Sequence, residues 1–98
     1  MNEDTTKTTV QTEKLKMDFS TFILSLNTSA LMHFGDIPDP QSMERTVNIS
    51  AAKHTIEILE ILKDKTTGNL DELELKLLDD VLYNLRMKFV RGPDTKEG

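Results

Sequence analysis

The sequence predicts an all-α fold: a small three-helix domain with a long Pro-containing loop between helices 1 and 2 and disordered tails. Three observations predict it. Apolar residues recur at spacings of three and four in three separate stretches. Each stretch opens on an aspartate or asparagine, residues suited to capping a helix N-terminus. No stretch alternates with the period of two that a half-buried strand requires. A chain of 98 residues has room for one domain, expected over residues 18–90.

The first helix is expected to start after Asp18. Phe19, Phe22, Ile23, Leu26 and Ala30 follow on one face, Phe34 extends it, and Gly35 supplies the residue that stops the helix. A second ridge, Leu24, Thr28 and Leu31 with Met32 beside it, lies roughly opposite. A helix that is apolar on two sides is buried on two sides, and in a domain this small that points to a partner subunit. Residues 36–47 contain Pro38 and Pro40 and form a loop, expected to cross the bundle through Ile37, Met43 and Val47. The second helix is expected after Asn48, with Ile49, Ala52, Ile56 and Leu59 as its stripe, Ile58 and Leu62 widening it, and Gly68 ending it. Asp71 and Glu74 form a capping box for the third helix, and Leu70 and Leu75 are placed to close a hydrophobic staple over it. Its stripe is Leu75, Leu78, Leu82, Leu85 and Phe89; acids gather early and bases late, as the helix dipole favours. Residues 1–17 and 91–98 hold too few apolar side chains to offset their ordering entropy and are read as tails.

Composition excludes several function classes. The net charge is −5; residues 1–17 carry three acids and three bases, and residues 91–98 carry two of each, so the excess lies between them. Such a domain lacks the basic patch that nucleic acid or an anionic membrane needs. There is no cysteine, which removes disulfides and thiolate zinc sites, and the two histidines lie far apart. Oligomerisation is the remaining remedy for a small core. The chain begins Asn2-Glu3-Asp4 after Met1, without the basic start and apolar core of a secretory signal. The uncharged run over residues 19–35, with His33 counted neutral, is short for a membrane span and contains Ser20, Thr21, Ser25, Asn27, Thr28 and Ser29. A cytoplasmic protein is expected.

Few residues suggest chemistry. His33 with Asp36 and Asp39 could hold a metal or act as an acid/base pair; the favoured reading is that His33 caps the last carbonyls of the first helix at the edge of the core face, which accounts for the residue fully. His54 and Glu57 are too few ligands for a metal. Arg86, beside the third stripe, either clamps a carboxylate ligand or ties down Asp36 or Asp39 of the loop. The hydroxyl residues of the first helix have no histidine placed to activate them and are suited to close helix contacts. Met32, Met43 and Met87 fit an adaptable interface or core gaps alike. No catalytic residue, cofactor or metal is assigned.

Several blocks of the sequence carry a resemblance. Phe19-Ser20-Thr21-Phe22-Ile23-Leu24-Ser25-Leu26, Thr28-Ser29-Ala30-Leu31, Gly35-Asp36-Ile37-Pro38-Asp39-Pro40, Gly68-Asn69-Leu70 and Leu82-Tyr83-Asn84-Leu85-Arg86-Met87-Lys88-Phe89-Val90 occur in this order. They resemble a family of short bacterial proteins known only as a domain of unknown function. The resemblance covers about residues 18–90 and implies a bacterial source and a compact helical domain. It implies no catalytic residue, substrate or cofactor.

The function expected from these readings is that of a non-enzymatic interaction module, a homodimer or small homo-oligomer joined through Leu24, Thr28, Leu31 and Met32. One alternative is an adaptor or regulatory subunit for another cytoplasmic protein, using that ridge or residues 37–40. Another is a small-ligand or metal-binding protein built on His33, Asp36, Asp39 and Arg86.

Overall fold

The local signals become three helices in the computed structural model, which describes residues 17–92. These are α1 (Phe19–Phe34), α2 (Ile49–Lys65) and α3 (Glu72–Arg91), with no strand among the described residues. Most of both expected tails (residues 1–16 and 93–98) lies outside them. Arg91, expected in the C-terminal tail, instead closes α3, and Gly92 caps it.

The start signals act as their chemistry dictates. The Asp18 carboxylate accepts a hydrogen bond from the Thr21 amide at 2.8 Å, and the Asn48 side chain accepts one from Ala51 at 3.1 Å. At α3 the box is reciprocal: Asp71 accepts from the Glu74 amide at 2.8 Å, and Glu74 accepts from the Asp71 amide at 3.0 Å. Each bond satisfies a donor that the helix itself leaves unpaired.

Gly35 ends α1 at φ 84°, with its amide bonded to the Met32 carbonyl and that of Asp36 to the Leu31 carbonyl. This pairing is the Schellman arrangement. A side chain at Gly35 would be strained by the backbone, and its Cβ would lie 2.9 Å from Val47 Cγ2. The α2 end departs from expectation. Thr66 is the cap, its hydroxyl bonding the Leu62 carbonyl at 2.7 Å, whereas Gly68 adopts φ 85° within the turn that follows.

The core is drawn from all three helices: Ile23, Ala30 and Phe34 from α1; Ala52, Thr55, Ile56 and Leu59 from α2; Leu78, Val81, Leu82 and Leu85 from α3. On both α2 and α3 the buried set falls at i, i+3, i+4, i+7, the stripe of a helix with one face inward. Ile58 falls off that stripe and is exposed. Thr55 enters it because its hydroxyl bonds the Ala51 carbonyl at 3.1 Å, so no donor is left unpaired.

At the two ends of the expected α3 stripe, Leu75 and Phe89 are also exposed, while Val81 is buried. Both lie close to a helix end, Leu75 in the first turn of α3 and Phe89 in the last, where the neighbouring helices cover the stripe least. Phe22 of α1 is likewise exposed, although Phe19 and Leu26 pack against the core.

The α1–α2 connection does not cross the bundle through Met43. Its middle closes on itself, with the Met43 amide bonded to the Asp39 carbonyl at 2.7 Å, the Asp39 amide to the Glu44 carbonyl at 2.9 Å, and the Gln41 amide to the Asp39 carboxylate at 2.7 Å. This turn leaves Met43 74% exposed at φ 62°. Ile37 is half-buried, and Val47 is exposed yet reaches Gly35. The Asn48 amide donates to the His33 carbonyl at 2.7 Å, fixing the start of α2 against the end of α1.

Candidate functional site

The polar residues singled out in the sequence do not converge. Arg86 donates from Nε (3.2 Å) and Nη2 (3.1 Å) to Glu60 Oε2 of α2, not to Asp36 or Asp39. The register explains the correction. A second pair, Lys63 Nζ to Asp79 Oδ1 at 2.6 Å, also joins α2 to α3. Residue numbers rise along α2 as they fall along α3 between the two pairs, so the helices run antiparallel and Arg86 comes opposite Glu60.

Asp36 pairs instead with Lys88, two residues further along α3. Asp39 is occupied with the amides of its own turn, and His33 contributes its carbonyl to Asn48. His54 and Glu57 are both exposed, and no group of three or more His, Cys, Asp or Glu is placed to hold a metal ion among the described residues.

These ion pairs strap the helices together. The Arg86–Glu60 pair is about half exposed, and such pairs contribute roughly 0.2–1 kcal/mol. Lys88 and Asp36 are more covered and hold the end of α1 to α3. Lys88→Met is therefore expected to speed amide exchange over residues 36–39, whereas Arg86→Met leaves those amides unchanged. Hydrogen-exchange mass spectrometry reads both; equal effects from the two variants would contradict this assignment of partners.

The apolar ridge of α1 is only partly outward. Leu24 is 48% exposed and Thr28 is exposed, but Leu31 and Met32 are half-buried, and Leu31 packs against the core. The Ser25 hydroxyl returns to the Phe22 carbonyl at 2.7 Å and so is satisfied within the helix. Beside Leu31 a shallow groove of about 420 Å³ opens between α1 and α3. Its α1 wall is Asn27 and Leu31; α3 contributes Tyr83, Asn84, Leu85, Met87, Lys88 and Arg91. Tyr83, with 64% of its surface exposed, was not singled out in the sequence. The available signal was the spacing of Tyr83, Met87 and Val90 at i, i+4, i+7, a second apolar line on α3 away from its main stripe.

The model of a protein family described as a domain of unknown function, DUF1844, matches residues 16–91. The chain belongs to that family. No curated protein and no solved structure matches it. The match spans all three helices of this DUF1844 domain, including both walls of the groove. No helix among the described residues is long and apolar enough to cross a membrane.

Proposed function

We propose that this DUF1844 domain is a non-enzymatic interaction module of the bacterial cytoplasm, which self-associates as a homodimer or small homo-oligomer through the outward face of α1. The observation that carries the reading is the chemistry of that face. From Phe19 to Phe34 the helix has no Asp, Glu, Lys or Arg, yet Leu24 remains half-exposed on that face. Burying a leucine is worth about 1.5–3 kcal/mol, and a symmetric interface buries each side chain twice. The charge of the chain favours the same face. Two copies each carrying −5 repel wherever their acids meet, and α1 offers a surface without acids.

Three of the four residues on which the small-ligand or metal reading is built already have partners within the fold. Arg86, Asp36 and Asp39 are each engaged in a contact that holds helices or a turn together.

The test is molar mass in solution by size-exclusion chromatography with light scattering, over a wide concentration range. The wild-type chain is expected as a dimer or larger assembly. Leu24→Glu, which places a charge on the half-exposed position without touching the core, is expected to weaken assembly by at least about tenfold, the equivalent of roughly 1.4 kcal/mol. A monomer at every concentration would refute self-association and direct attention to a different protein as the occupant of this face.

A further inference from the structure

We draw no further inference here: the strongest candidate, the groove between α1 and α3 walled by Leu31, Tyr83 and Met87, is an unpartnered surface whose Lys88 is already paired with Asp36, and nothing in the structure shows what covers it.

Discussion

Leu78→Ala is expected to destabilise the domain by roughly 3–5 kcal/mol, and Leu75→Ala by less than about 1 kcal/mol, although both leucines stand on one apolar stripe of α3. Leu78 has no exposed surface, whereas Leu75 is 42% exposed. Truncating Leu78 removes its transfer free energy and also leaves a cavity among the side chains of all three helices. Truncating Leu75 leaves a surface that water fills. A domain of this size has a total stability on the order of 5–10 kcal/mol, so the first variant forfeits much of it. Urea denaturation at fixed protein concentration reads the difference. The midpoint of Leu78→Ala should fall far below that of Leu75→Ala with little change in slope. Equal midpoints would mean that α3 is rotated or shifted from the arrangement described.

Phe34→Ala is expected to be comparably severe, at about 3–5 kcal/mol. Phe34 is 2% exposed and is the last residue of α1. It stands between Gly35, which makes the turn, and His33, whose carbonyl receives the Asn48 amide. Losing the ring therefore acts twice, by opening a cavity and by loosening the junction that places α2. Phe34→Leu retains most of the apolar volume and should recover most of the loss. Circular dichroism would show a weak or absent cooperative thermal transition for the alanine variant and a restored one for leucine. A transition near the wild-type temperature in Phe34→Ala would exclude this part of the core.

Much of the fold was legible in residue order alone. Asp18, Asn48 and Asp71 mark helix starts because a capping side chain acts on amides two or three residues away. The stop at Gly35 was legible for the same reason: a left-handed backbone is a property of one residue and its neighbours. The stop of α2 was less so, because Thr66 and Gly68 both offer local solutions and the threonine hydroxyl reached a free carbonyl first.

The candidate surface was legible in half. Leu24, Thr28 and Leu31 share a face by spacing alone. That Leu31 is partly spent on the core, and that Tyr83 and Met87 stand across a groove from it, depends on how α1 crosses α3. Periodicity gives the angle of a side chain about its own helix and carries no term for the neighbouring one.

The ion pairs show the same boundary. Arg86 had a plausible partner in Asp36 or Asp39, and a partner in either would have made a polar cluster with His33. The antiparallel register of α2 and α3 brought Glu60 to Arg86 and left Asp36 to Lys88. By itself, then, the sequence determined helix type, number, the capping of every helix start and the identity of the apolar faces, all set by hydrogen bonds and spacings within a few residues. Tertiary structure alone decided which ends of those faces stay uncovered, which charges meet, and where a groove opens. These follow from helix register and crossing, which arise when residues far apart in the chain are brought together.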